Sequence, residues 1–264
     1  MKRSLAAALA ALVTVTGGLL GSARPAQAGP AVGRGGDDPL PTVRLMPLGD
    51  SITVGVGSTT GAGYRLPLWN LILQQSRFRA HFVGSQRGGA FPQPDHEGHS
   101  GWTINDIRGK VDGWLATARP DVVLLHIGIN DLDRNEDTPH AADRLGHLVD
   151  QIYADEPGVT LIVQGLIPTT NGLQDLVQRF NDQARRLQRT ERQRGRHFGY
   201  VDAPALTSTE FADQLHPNDQ GYDRMARTFF GALHRDLTPL WVGGRPLLPS
   251  DDDGPVRQRS RTSA

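Results

Sequence analysis

Five short apolar runs, at residues 45–48, 80–83, 122–127, 159–167 and 199–202, constrain this chain more than any other feature. Segments with helical spacing separate most of them. Residues 65–78 carry Leu66, Leu68, Trp69, Leu71, Ile72 and Leu73; residues 104–118 stop before Pro120; residues 141–154, 173–194 and 218–234 complete the series. No two-residue hairpin signal joins neighbouring runs, and short apolar strands alternating with helices specify a parallel sheet covered on both faces. The expected fold is α/β: a three-layer α/β/α sandwich around a mostly parallel five-stranded sheet. Residues 84–101 read as a long polar loop, a length often associated with function.

Right-handed crossovers bring successive strand ends to one edge of such a sheet, where chemistry in open α/β folds is found. Three polar clusters fall there. The first run stops at Gly49-Asp50-Ser51, the third at Gly128-Ile129-Asn130-Asp131, and Asp213-Gln214-Leu215-His216-Pro217 follows the last. Asp50 or Ser51 alone could simply cap a following helix. Asp213 and His216, three apart, share a side if they form one turn. The carboxylate would then fix the imidazole tautomer while the other ring nitrogen takes a proton from a serine. An oxyanion formed by serine attack needs donors already aimed at it. The Ser51 N–H, the Asn130 amide and a glycine N–H from the long loop can supply them.

Gly49-Asp50-Ser51, Gly101, Gly128-Ile129-Asn130-Asp131 and Asp213-Gln214-Leu215-His216-Pro217 resemble, in order, the blocks of the SGNH (GDSL) hydrolase superfamily, whose fold is flavodoxin-like. The resemblance spans the whole globular part. It implies Ser51 as nucleophile, His216 as base, Asp213 as its partner, and Ser51, Gly101 and Asn130 as the oxyanion hole, with Gly98 close enough to compete with Gly101. The flanking Met46-Pro47-Leu48, Gly63-Tyr64-Arg65, Phe82-Val83-Gly84-Ser85 and Glu97-Gly98-His99-Ser100-Gly101 are similar to the family-three carbohydrate esterases, which include acetylxylan esterases. Resemblance and loop placement mark Tyr64, Arg65 and Trp102 as substrate contacts, with a place in the core the equal alternative for Trp102.

Other motifs carry less. Residues 55–60 begin like a dinucleotide loop but place Thr60 where the sixth residue should be glycine. Ser100 falls one residue short of the G-x-S-x-G elbow. His96, Glu97 and His99 lack the helical H-E-x-x-H spacing and read as a hydrogen-bonded loop or part of the substrate rim, so no metal and no cofactor is expected. His126 reads as a satisfied core histidine. The basic run from Arg185 to Arg196 reads as a solvated helix face.

Lys2-Arg3, an apolar segment from 5 to 20 and Ala26-Gln27-Ala28 have the layout of a secretory signal peptide, which places the protein outside the cell. A retained anchor is the competing reading; no later stretch is apolar enough to span a bilayer. Losing residues 1–28 removes Lys2, Arg3 and Arg24 and no acidic residue, leaving a slightly acidic chain with no global reason to bind nucleic acid. The chain has no cysteine, which excludes disulfides and thiolate catalysis. Residues 29–41 read as a flexible lead-in, 42–248 as one hydrolase domain and 249–264 as a disordered polar tail.

The expectation is a secreted, metal-independent, monomeric serine esterase. It would act through an acyl-enzyme on small acyl esters, acetyl foremost, carried by carbohydrate. A lipase, lysophospholipase or thioesterase on the same fold is the alternative enzyme. A non-catalytic carbohydrate-binding or wall-associated protein is the alternative of another class.

Overall fold

The structure, a computed structural model, describes residues 40–237 and the backbone of 241–242 and 245–246. The expected leader (1–28), all but the last two residues of the lead-in (29–41) and the tail (249–264) lie outside the described residues.

β1 (Thr42–Gly49) is central and leads into the four-residue α1 (Ser51–Val54), followed by α2 (Arg65–Leu73) and β2 (Arg79–Phe82). β3 (Gln86–Arg87) and β4 (Asp95–Gly98) come next, then α3 (Ile104–Arg108), α4 (Val111–Ala118), β5 (Val122–His126), α5 (Ile129–Asp133) and α6 (Ala141–Asp155). β6 (Thr160–Gln164), α7 (Gln174–Gln193), β7 (Phe198–Val201) and α8 (Asp219–Leu237) follow. β2, β1, β5, β6 and β7 form the parallel sheet, as the sequence predicts. α2 packs with α8, whereas α3, α4, α6 and α7 form a second contiguous layer. α6 shows why: Ala141, Leu145, Leu148, Val149 and Ile152 are buried at helical spacing. Among the described residues no helix is long and apolar enough to cross a membrane.

The predicted polar loop over 84–101 is corrected. It contains an antiparallel hairpin, β3 with β4, so the sheet has seven strands among the described residues rather than five. β1 explains the addition. β2 pairs with β1 only up to Leu45↔Phe82, and β4 takes over the same edge at Leu48↔Glu97. The odd-numbered residues of β1 face that edge: Leu45 O accepts from Val83 N–H and Gly49 O from His99 N–H, both at 2.9 Å. Pro47, which has no N–H, falls opposite the gap between the two strands, so proline is tolerated in a central strand.

The predicted helix over 104–118 is also corrected, because Gly109 and Lys110 break it into α3 and α4. Thr103 starts α3 with a capping box: its hydroxyl accepts from Asp106 N–H, and the Asp106 carboxylate accepts from Thr103 N–H. The basic face of α7 is exposed as expected at Arg185, Arg186, Arg189 and Arg192, whereas Arg196 lies beyond the helix, half-buried against Glu191 and Asp150.

Candidate active site

Ser51 stands at the first position of α1, directly beyond the end of β1. Gly49 makes this turn possible, since a Cβ there would lie 2.1 Å from the His126 carbonyl oxygen. Asp50 caps α1: its buried Oδ1 accepts from Ile52 N–H at 2.9 Å. The capping reading therefore holds for Asp50, while Ser51 is free to face outward. Burial pushes the Asp50 carboxyl up from 3.8 to about 7, against the Ile52 hydrogen bond and with help from nearby Asp131.

Ser51 Oγ lies 2.8 Å from His216 Nε2, and His216 Nδ1 lies 2.8 Å from Asp213 Oδ2. The second carboxylate oxygen, Oδ1, accepts from the N–H groups of Leu215 and His216, each at 2.8 Å. One short turn thus carries both residues. Partial burial works to raise the Asp213 carboxyl, but these donors and the His216 ring together hold it below the usual carboxylate range. Asn218 ends the turn by capping α8, its Oδ1 accepting from Gln220 and Gly221 N–H.

A cleft of about 270 Å³ opens over Ser51 and His216, lined also by Ile52, Val56, Ser100, Gly101, Ile129, Asn130 and Leu215. Gly101 takes φ +80°, a conformation that favours glycine. Asn130 Nδ2 donates to Trp102 O at 2.9 Å, and a primary amide has a second N–H for another acceptor. Gly98, unlike Gly101, is not among the residues that line the cleft. It sits in β4, its N–H donates to His96 Nδ1, and a Cβ on it would lie 2.8 Å from Val54 N.

Ser51, Gly101, Asn130, Asp213 and His216, drawn from four separate stretches, therefore meet, and the side chains of three other predicted contacts do not join them. Tyr64 is fully buried, its ring against Phe229 and its hydroxyl 3.2 Å from Thr53 Oγ1. Arg65 is also fully buried. Its guanidinium donates to the carbonyls of Thr53, Val54, Gly61, Gly88 and Pro94, which ties the glycine-rich loop to the β3–β4 hairpin. Burial lowers its pKa to about 10, still cationic at neutral pH. Trp102 is not part of the cleft lining; it stacks on His99 at 4.2 Å. His126 is buried as expected, but neither ring nitrogen has a hydrogen-bond partner among the described residues, so it is not satisfied. Burial lowers it to about 4, leaving it neutral.

Three further contacts support the site, and the sequence points only to the last, in the hydrogen-bonded loop expected around Glu97 and His99. Asp219 Oδ1 accepts from Thr59 N–H at 3.0 Å and joins the loop after Ser51 to the helix after His216. Asp131 Oδ2 accepts from Ile104 N–H at 3.0 Å while Arg144 grips Oδ1. Glu97 pairs with His99 at 2.7 Å. The one available signal was charge inside otherwise apolar or motif-bearing stretches.

The sequence profile of the GDSL-like Lipase/Acylhydrolase family matches residues 48–224. The structure of the Clostridium thermocellum family 3 carbohydrate esterase is 34% identical, with a TM-score of 0.68 over 74% of this chain and 96% of the other. A serine-to-alanine variant of an acetyl esterase, solved with an acetate ion, is 26% identical with a TM-score of 0.63, covering 73% of this chain and 97% of its own. The Multidomain esterase of Ruminococcus flavefaciens is 27% identical over 251 residues, which are 81% of this chain. The chain spans 32% of that relative's length and 56% of a second curated relative's.

Proposed function

Because the chain belongs to the GDSL-like Lipase/Acylhydrolase family, we propose that it is a serine-dependent carboxylic ester hydrolase that releases small acyl groups, acetyl foremost, from carbohydrate. The observation that carries this reading is the unbroken chain Asp213–His216–Ser51, with both links at 2.8 Å, opening on a cleft that also holds Gly101 and Asn130.

Ser51 Oγ attacks the ester carbonyl carbon as His216 Nε2 takes the hydroxyl proton. Asp213 keeps the Nδ1–H tautomer beforehand and stabilises the imidazolium that forms. The carbonyl oxygen becomes an oxyanion and accepts from the Ser51 and Gly101 N–H groups and the free Asn130 Nδ2–H, each contributing about 3–4 kcal/mol. His216 then passes the proton to the departing sugar oxygen, which leaves as a hydroxyl and the acyl group stays on Ser51. Water attacks this ester, His216 takes its proton and returns it to Ser51 Oγ, and the acid departs.

A cleft of about 270 Å³ suits a small acyl group better than a long chain. Preference for acetyl and for carbohydrate follows the family 3 carbohydrate esterase and the acetyl esterase that this chain resembles. Secretion follows from the leader-like pattern in residues 1–28.

The test is acetate release from acetylated xylan and nitrophenol release from 4-nitrophenyl acetate, butyrate and octanoate. Each is compared with Ser51→Ala. Acetyl substrates should be turned over fastest and lost in the variant. Release no greater than that of Ser51→Ala overturns the enzyme reading in favour of a binding protein, and a maximum at octanoate replaces the acetyl preference with a lipase-like one.

A further inference from the structure

β4 brings a polar network to the back of the cleft wall. Side chains alternate across a strand, and here Gly98 faces α1 while Glu97 and His99 point to the other face, towards Trp114 of α4. Glu97 is fully buried, and each of its oxygens has partners. Oε2 accepts from Ser85 N–H at 2.7 Å, and Oε1 accepts from Ser85 Oγ–H at 2.7 Å and faces His99 Nε2 at 2.7 Å. The imidazole held in this way stacks on Trp102 at 4.2 Å and on Trp114 at 4.6 Å.

The main chain of His99 ties the two sides of the cleft together. Its N–H donates to Gly49 O at 2.9 Å, two residues before Ser51, and its carbonyl accepts from Trp102 N–H at 3.1 Å. The second bond closes the turn 99–102 around Gly101 at φ +80°. Glu97 fixes the His99 ring, the ring fixes Trp102, and the turn between them holds Gly101 against Ser51.

We infer that Glu97 and His99 are a positioning pair that aims the Gly101 N–H at the oxyanion, a role that rests on the ester-hydrolase reading above. Neither residue touches substrate; both act through Gly101. A pair that only stabilised the fold would change the melting temperature and leave turnover by the folded protein alone. A pair that positions Gly101 changes the transition state more than the bound substrate, so the loss appears in kcat and not in KM.

The experiment uses the full chain and 4-nitrophenyl acetate, well below each variant's melting temperature as followed by circular dichroism. Glu97→Gln and His99→Phe should each lower kcat about 10- to 100-fold with KM within about twofold of wild type, approaching the loss of one oxyanion donor. A trifluoromethyl ketone, which forms an oxyanion on Ser51, should lose affinity by a similar factor. The double variant should be no worse than the poorer single one, because both cut the same link. His99→Phe keeps the ring stack and the main-chain bonds and removes only the contact with Glu97, so it decides alone if Glu97→Gln does not fold. Folded variants with wild-type kcat, or a loss confined to KM, overturn the inference. A wild-type rate no higher than that of Ser51→Ala overturns the ester-hydrolase reading itself, and the pair's role with it.

Discussion

The two walls of the cleft are built by opposite means. On the acid–base side the bonds that set the imidazole through Asp213 are local: Asp213 reaches His216 three residues away, and the two main-chain donors that hold its other oxygen lie two and three residues away. The carboxylate is half exposed, at 53% of its side-chain surface. On the oxyanion side the bonds that hold Asn130 and Asp131 are remote. Asn130 reaches Trp102 across 28 residues and Asp131 reaches Ile104 across 27, with the Asp131 side chain only 1% exposed. Burial raises the Asp131 carboxyl, and the Ile104 and Arg144 hydrogen bonds pull against that shift. A proton relay has to set one ring, and one turn of chain can do that in contact with water. Donors that await a charge must be preorganised away from water, which takes several elements locked together. Damage to the first wall should therefore lower turnover alone, whereas damage to the second should lower turnover and stability together.

The largest effect expected is that of Asp213→Asn. Its amide oxygen would stay on the Leu215 and His216 N–H groups, which turns the NH₂ towards His216 Nδ1. A donor there selects the tautomer with hydrogen on Nε2, which cannot accept the Ser51 proton. We expect kcat to fall by about 10³- to 10⁴-fold. Because the site is exposed and its bonds are local, the melting temperature should move by no more than about 2 °C. Steady-state kinetics and thermal melts on one preparation check both. A large drop in melting temperature would break the contrast between the walls.

Asn130→Ala probes the other wall. It removes one oxyanion donor, about 10²- to 10³-fold in kcat, and also strips Trp102 O of its side-chain donor. The second loss should cost about 1 kcal/mol, or roughly 2–4 °C in a domain of this size. The same melts and kinetics would show the two losses together. A kinetic loss with an unchanged melting temperature would mean that this wall is no more tightly built than the first.

The same contrast decides what could be read from the sequence. α6 was legible because its burial follows the helical period, and β5 because it is a short, nearly continuous apolar run with all five residues buried. The turn 213–216 was legible because the bonds between Asp213 and His216 are as local as their motif. The β3–β4 hairpin was not, because Asp95-His96-Glu97-Gly98 contains no apolar residue. It becomes a strand because β1 has an edge left open where β2 ends. Arg65 was misread for a similar reason. A charged residue beside a motif suggests a substrate contact, and the five carbonyls that receive its guanidinium lie in segments that only the folded chain brings together. Convergence of Ser51, Gly101, Asn130, Asp213 and His216 followed from strand ends sharing an edge, whereas the Asp131 and Asp219 contacts behind them join segments distant in sequence.

The smallest effect on turnover is expected where the walls meet, at Asp50, which adjoins Ser51 in sequence but is buried like the oxyanion side. Its Oδ1 holds Ile52 N–H, and Oδ2 has no hydrogen-bond partner among the described residues. Burial lifts its pKa from 3.8 in the unfolded range to about 7 in the fold. Between about pH 4 and pH 7 the folded protein therefore holds a proton that the unfolded chain has released. Stability contributed by this group falls as pH rises through that window and is level above it. Asp50→Asn keeps an acceptor for Ile52 and cannot ionise, so it removes the slope: the variant should gain on wild type as pH rises from 4 to 7, and its turnover should stay within about tenfold. Melting curves of both proteins taken at intervals from pH 4 to pH 8 isolate the term as a difference, free of every other titrating group. If the two profiles run parallel, Asp50 is ionised throughout and its side of the turn is wetter than its burial implies.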